Sequence, residues 1–391
     1  MATTNSDDDF APLDQQEDEA DVLDGGKVVR FDAAVAASDW TTETVISQLR
    51  KGNIYLDPDF QRRDAWTVQR KSQYIESLII GIPTPQIILA ERKEKRGSYI
   101  VIDGKQRLLS LRQFSASSSD THFKPFALKG LAARADLNDQ TYEDIAQSLF
   151  GDFTSDFDNA TIRTVVIKSW PSEEFLYEVF LRINSGSVQL SPQELRQALH
   201  PGPFTKRLNE FVIESKILQG MLGLRQPDFR MRDNELALRY VSFMKYLQRY
   251  SGNLKLILDD TTRILNSSWE SEGPEIEHLL KRLEYSIGTT EKVFGNRNMF
   301  KKWNGDYFET RINRAVFDVI ALFFSNEKIA ELALENREKV VAAFKTICEH
   351  DYDFVNSITS TTKSFGAVQY RFNAWAQALS NALNIKIHSP I

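Results

Sequence analysis

Three separated stretches of the chain gather residue types suited to phosphate chemistry. In VIDGKQRLLSL, residues 101–111, a glycine follows a strand-like run and opens a helical one. Gly104 permits close backbone approach, and the free N–H groups of a helix start, aided by the helix dipole, favour a phosphate. Arg107 can add a bidentate guanidinium contact and Lys105 a point charge. Asp103 can hold a divalent cation against the same phosphates, or act as an N-cap that only stabilises the helix. In LDPDFQRRDAW, residues 56–66, Asp57, Asp59, Gln61, Arg62 and Arg63 sit beside Pro58, next to the apolar Phe60 and Trp66. A solvated loop with Trp66 in the core is the alternative reading. In FLRINSGSVQLSPQELRQ, residues 180–197, Asn184, Ser185 and Gly186 form a turn, with Arg182 and Arg196 on either side. Ser191 and Glu194 match a capping box. Capping explains those two residues but not the whole set.

The elements that must position these residues follow from periodicity and punctuation. Residues 43–50 read as a short helix and 67–80 as a longer one, ended by Gly81 and Pro83. QIILAE (86–91) and SYIVID (98–103) flank the charged turn RKEKRG and read as a β-hairpin. Its tip carries Arg92, Lys93, Lys95 and Arg96, expected to face water. KQRLLSLRQF continues as a helix, residues 115–140 are irregular, ATIRTVVIK (160–168) alternates as a strand, and 173–183 and 192–199 read as helices. After His200-Pro201-Gly202-Pro203 the pattern becomes helical, with apolar residues three and four apart in ELALRYVSFMKYLQRY, IEHLLKRLEYSIGTTEKVF, INRAVFDVIALFF, NREKVVAAFKTICEH and YRFNAWAQALSNAL. The expected architecture is α+β: a small mixed-sheet domain over residues 28–200, then an all-helical bundle over 201–391.

Composition removes several classes. The length allows two or three domains with cores of their own. A single cysteine, Cys348, excludes a disulfide framework and a cysteine-built zinc site and reads as a small buried apolar group in a reducing compartment. The net charge of −6 is set by nine acidic and no basic residues in positions 1–24; the remainder holds 48 basic and 45 acidic residues, a net of +3. Residues 1–27 therefore read as a disordered acidic tail, either a solubilising leader or a shield over a basic site. The start lacks the pattern of a secretory signal, and SLIIGI (77–82) falls far short of the roughly 20 residues that cross a bilayer. A cytoplasmic protein with no membrane partner is expected. No G-x-x-x-x-G-K-[ST], G-x-S-x-G or H-E-x-x-H string occurs.

Taken in order, the three stretches resemble the DGQQR-type domain of the GmrS half of GmrSD type IV restriction enzymes and of the SspE defence effector, over roughly residues 40–200. Pro58, Gln61, Arg62 and Trp66 match its first pattern, and GIPTP (81–85) its stretch before the hairpin. Asp103, Gly104, Gln106 and Arg107 match its signature, with Lys105 where glutamine is commoner. Phe180, Arg182, Asn184, Gly186, Leu190, Glu194, Leu195 and Arg196 match its third pattern. The resemblance implies a fold related to the ParB and sulfiredoxin group and a nucleoside triphosphatase. It implies Asp103, Gln106 and Arg107 at the phosphates or at Mg²⁺, with Gln61, Arg62, Gly104, Lys105, Arg182 and Asn184 also binding the nucleotide.

The second half departs from GmrSD enzymes, whose C-terminal nuclease needs a histidine-centred metal site. The chain has five histidines, His122, His200, His278, His350 and His388, none in that paired pattern. The nuclease half is expected to be absent and any cutting left to a separate subunit. His350 with Asp351 and Asp353 is the nearest approach to a ligand set, and a capping cation is the alternative. The leading expectation is an NTP-binding, NTP-hydrolysing sensor or regulator in a bacterial anti-phage or restriction system. The competing one is a non-enzymatic, ParB-like DNA-binding or adaptor module, using Arg62, Arg63, Arg70, Lys71, the hairpin tip, Arg225, Arg230 and Arg232 on backbone phosphates. The stripe Phe365, Tyr370, Phe372 and Trp375 reads as core or as a base-stacking surface. GNRNMFKKWNG (295–305) is a second ligand-facing candidate.

Overall fold

The computed structural model describes residues 33–56, 64–148, 151–183, 191–360 and 362–391. The chain divides into two compact units between Leu199 and His200.

The first unit is built on a four-stranded mixed sheet of β1 (Ala34–Thr41), β2 (Ile87–Glu91), β3 (Tyr99–Asp103) and β4 (Thr161–Lys168), in the order β1-β4-β2-β3. β1 pairs antiparallel with β4, β2 antiparallel with β3, and β2 parallel with β4. The hairpin expected over 86–103 is therefore present, closed by Arg92 N–H donating to the Ser98 carbonyl at 2.8 Å. Helices α1 (Thr42–Arg50), α2 (Val68–Ile79), α3 (Lys105–Phe114), α4 (Tyr142–Gln147) and α5 (Gly151–Asn159) pack among themselves, whereas α6 (Glu173–Ile183) and α7 (Pro192–Leu199) pack on β3. Alternate residues of the hairpin, Ile88, Ala90, Ile100 and Ile102, form a core with Ile167, Trp170, Leu176, Tyr177, Phe180 and Leu195. Their neighbours Ile87, Leu89 and Val101 are buried too, so β2 reads as a continuous apolar run because it is covered on both faces.

Two elements depart from the expected pattern. β1 lies in AVAASDWT, exposed along most of its length, and forms an edge of the sheet without apolar alternation. Between the irregular stretch and β4, α4 begins with a capping box in which Thr141 and Asp144 satisfy each other's backbone N–H groups.

The second unit holds α8 (Pro203–Glu214), α9 (Lys216–Met221), α10 (Arg232–Tyr246), α11 (Leu254–Ser267), α12 (Trp269–Phe294), α13 (Arg314–Phe324), α14 (Glu327–Glu335), α15 (Arg337–His350), α16 (Tyr352–Thr359) and α17 (Phe365–Leu383) around one apolar core. A buried ionic group crosses it: Arg239 Nε donates to Asp318 Oδ1 at 3.0 Å, and Arg371 Nη2 approaches Oδ2 at 3.4 Å. The aromatic stripe splits, Phe372 and Trp375 being core while Phe365 and Tyr370 are exposed. In the 295–305 connection Met299 and Phe300 are buried, and Trp303 lies under Lys345 with its indole N–H on Glu349. His350 sits in the last turn of α15, and Asp351 caps α16 by accepting from Phe354 N–H. No helix among the described residues is long and apolar enough to cross a membrane.

Candidate functional site

The signature turn is made where β3 stops. Pairing between β2 and β3 slips, Ile88 facing Asp103 while Leu89 faces Val101, so a bulge falls one residue before Asp103 and bends the strand there. Gly104 follows with φ 98°, a left-handed conformation, and α3 begins at Lys105 with no side-chain cap on its first N–H groups. A Cβ at Gly104 would meet Ile87 Cγ1 at 3.1 Å and the Arg107 guanidinium at 3.3 Å, so glycine is required both by the dihedral and by the space.

Arg107 folds back over this turn. Its Nη2 donates to Asp103 Oδ2 at 2.8 Å and to the Gln86 carbonyl at 2.9 Å, joining the signature to the end of the proline-containing 81–85 stretch. Two atoms of the signature, Gln106 Oε1 and Arg107 Nε, are buried and make no hydrogen bond, as is the indole Nε1 of Trp66. Trp66 stacks edge-on with Tyr74 at 5.9 Å. Burial pushes the Tyr74 phenol well above its ordinary range, opposed by the positive charge of Arg107. Unsatisfied buried polar atoms are uncommon in folded proteins, and two of them, on Gln106 and Arg107, fall in the first turn of α3.

Two buried ion pairs brace this corner. Lys71, on α2, is 5% exposed and holds the Asp64 carboxylate and the Gln113 side chain, the latter at 2.7 Å. Asp64 also accepts from Trp66 N–H, which fixes the stretch leading into α2. Lys105, the first residue of α3, is paired with Glu194 of α7, both 6% exposed. Beside that pair lies a cavity of about 30 Å³ lined by Tyr55, Tyr99, Arg92 and Gln197 among others. It has room for a water or two and none for a nucleotide.

The site residues expected from sequence are thus distributed as follows. Asp103, Gly104, Gln106 and Arg107 form one turn. Lys105 belongs to the same turn, but its ammonium is directed inward to Glu194. Arg182 is on α6 with its side chain largely exposed and its Nε on Glu178 at 2.6 Å. Gln61, Arg62, Arg63 and Asn184 lie outside the described residues. Of the hairpin-tip cations, Lys93, Lys95 and Arg96 are exposed. Arg92 departs from that expectation: it donates to the Ala198 carbonyl at 2.8 Å, and burial lowers its pKa. Lys93 lies over the Trp170 ring at 4.1 Å and donates to the Pro171 carbonyl. Among the other cations considered for DNA, Lys71 is buried and Arg232 is paired with Asp228 at 2.8 Å.

Sequence reasoning missed Lys71 as a bracing residue. The available signal was its place on the apolar stripe of α2, where Lys71, Tyr74, Ile75 and Leu78 recur at helical spacing and are all buried.

Among the described residues no three His, Cys, Asp or Glu side chains gather as a metal site. Mg²⁺ is commonly held by one or two carboxylates together with substrate phosphates, and Asp103 offers one carboxylate at this turn.

Residues 43–201 match the family model for the N-terminal domain of the GmrSD restriction endonuclease. This segment resembles that domain over its whole matched length. The match ends beside the Leu199/His200 boundary and covers the sheet-containing unit apart from β1, which precedes residue 43. It relates the chain to restriction systems. No curated protein and no solved structure matches the chain.

Proposed function

We propose that the GmrSD-like domain binds and hydrolyses a nucleoside triphosphate with Mg²⁺, as a cytoplasmic sensor or regulatory component of a bacterial restriction or anti-phage system whose nuclease resides on a separate subunit. The observation that carries this reading is the uncapped start of α3, where Gln106 Oε1 and Arg107 Nε are buried without hydrogen bonds. The amides of that first turn and the helix dipole suit a phosphate. Arg107 and Asp103 neutralise each other across the turn. A nucleotide carrying Mg²⁺ offers a better partner to each, phosphate oxygens to the guanidinium and the cation to the carboxylate, so the pair exchanges without leaving a charge uncompensated. Arginine so placed offsets the negative charge that accumulates on the transferring phosphoryl group. Mg²⁺ would neutralise the phosphates from the side of Asp103.

The test is a thermal-shift panel of ribo- and deoxyribonucleoside triphosphates with Mg²⁺, followed by phosphate-release assays. A ligand at 100 times its Kd stabilises by about 2.7 kcal/mol. The wild-type chain should respond to at least one nucleotide, and Asp103→Ala and Arg107→Ala should lose the response. The reading fails if the wild type shows no shift, or if both variants bind and hydrolyse as it does.

A further inference from the structure

The Lys105–Glu194 pair joins two motifs that lie far apart in the chain. Lys105 opens α3 directly after Gly104; Glu194 lies in the first turn of α7, directly after the stretch carrying Asn184. One Glu194 oxygen takes the Lys105 ammonium. The other accepts from Ser191 N–H at 2.7 Å, while Ser191 Oγ accepts from Glu194 N–H at 3.1 Å, completing the capping box. The start of α7 is therefore fixed by its own cap and tied to the start of α3 by the same carboxylate. Both charged groups are 6% exposed, so neither reaches solvent without the pair opening. Arg92 adds a second tie from the hairpin to the other end of α7, through the Ala198 carbonyl.

We propose that Lys105 and Glu194 are positioning residues. The pair sets the start of α7 relative to the Asp103–Arg107 turn, and Lys105 acts on a ligand only through Glu194. A lysine at a helix start beside a phosphate site suggests a direct contact, but its burial and its partner point away from one. A buried ammonium already matched by a carboxylate would need to leave that carboxylate unpaired to reach a phosphate, at a high cost in desolvation. The effect on affinity rests on the nucleotide reading above; the mechanical coupling of α3 to α7 does not.

The experiment uses the full chain and three variants, Glu194→Gln, Lys105→Arg and the double variant Lys105→Met/Glu194→Gln. In the double variant the new amide oxygen is free to serve Ser191 N–H, so the cap survives while the tie is cut. Hydrogen exchange is followed in peptides covering 105–114 and 191–199, and ATP·Mg²⁺ and GTP·Mg²⁺ are titrated in parallel. In the double variant both peptides should lose protection together while the apo melting temperature stays near that of the wild type. Its affinity for the bound nucleotide should fall about tenfold, the lower range for losing a partner that orients a ligand-holding group. Lys105→Arg, which keeps the pair, should behave as wild type, and this also serves if the double variant does not fold. Glu194→Gln should weaken binding. Tighter binding by Glu194→Gln would mean that the released lysine contacts the phosphates, and would overturn the proposal. Wild-type exchange in both peptides of the double variant would overturn it equally. If the wild-type chain binds neither nucleotide, the titration is repeated with the triphosphates of the thermal-shift panel; should none bind, the nucleotide reading falls, and the exchange data alone decide whether the pair couples the two helices.

Discussion

Arg107 Nη2 and Asp103 Oδ2 lie 2.8 Å apart across Gly104, whose left-handed conformation lets the guanidinium fold back onto the end of β3. A methyl at Gly104 is opposed by the dihedral and by Ile87 and Arg107 together. Gly104→Ala should therefore destabilise the first unit by about 1–3 kcal/mol and displace Arg107. Urea unfolding of the full chain checks the first effect and loss of a nucleotide-induced melting shift the second; unchanged values for both would contradict this account of the turn.

In the helical unit, Asp318 compensates two buried guanidinium groups, those of Arg239 and Arg371. Asp318→Ala leaves both without that carboxylate in an apolar core, and a loss of about 3–5 kcal/mol is expected. Thermal or denaturant unfolding reads it directly. A loss below about 1 kcal/mol, the size of an exposed pair, would mean the group is solvated.

Cys348 is 8% exposed, and burial pushes its thiol up to about 12. At pH 8 roughly one thiol in 10⁴ is then ionised, and the thiolate is the nucleophile. Ellman's reagent should leave the native chain unlabelled and label one thiol per chain after denaturation, since the sequence contains one cysteine. Rapid labelling of the native chain would show the thiol to be accessible.

Asp158 accepts from the Tyr142 hydroxyl at 2.9 Å, and burial raises its carboxyl above the ordinary 3.8 although that hydrogen bond pulls the other way. The folded chain then keeps this proton to a higher pH than the unfolded chain. Its contribution to stability is favourable below the folded pKa and declines as pH rises through the window above 3.8. Asp158→Asn removes that decline. Urea midpoints between about pH 4 and 6 should fall less steeply, or rise more steeply, in the variant than in the wild type; parallel profiles would show that Asp158 titrates alike in both states.

The parts of this architecture that show in the sequence are those where chain punctuation and apolar period agree. The hairpin, α3, α6 and α7 are of that kind, because Gly81, Pro83, Gly104 and Pro192 mark their borders and apolar residues recur between them. β1 does not show, because an edge strand of small and polar residues needs no buried face and so carries no alternation. The signature turn is legible down to Asp103, Gly104 and Arg107. The direction of Lys105 is not, because burial of its charge depends on a partner contributed by distant chain, Glu194. Arg92 was read as a solvent-facing tip residue for the same reason: the carbonyl it reaches, that of Ala198, is 106 residues away.

The separation of 89 residues between Lys105 and Glu194 also has a temporal side. A ribosome adding roughly 5–20 residues per second makes the glutamate about 4–18 s after the lysine. Until α7 leaves the exit tunnel, the lysine has no carboxylate to meet, so the nascent signature helix cannot settle into its final seat. Completion of the Lys105–Glu194 tie is thereby coupled to completion of the domain, and a fragment released before residue 191 would carry the DGKQR string without its carboxylate partner.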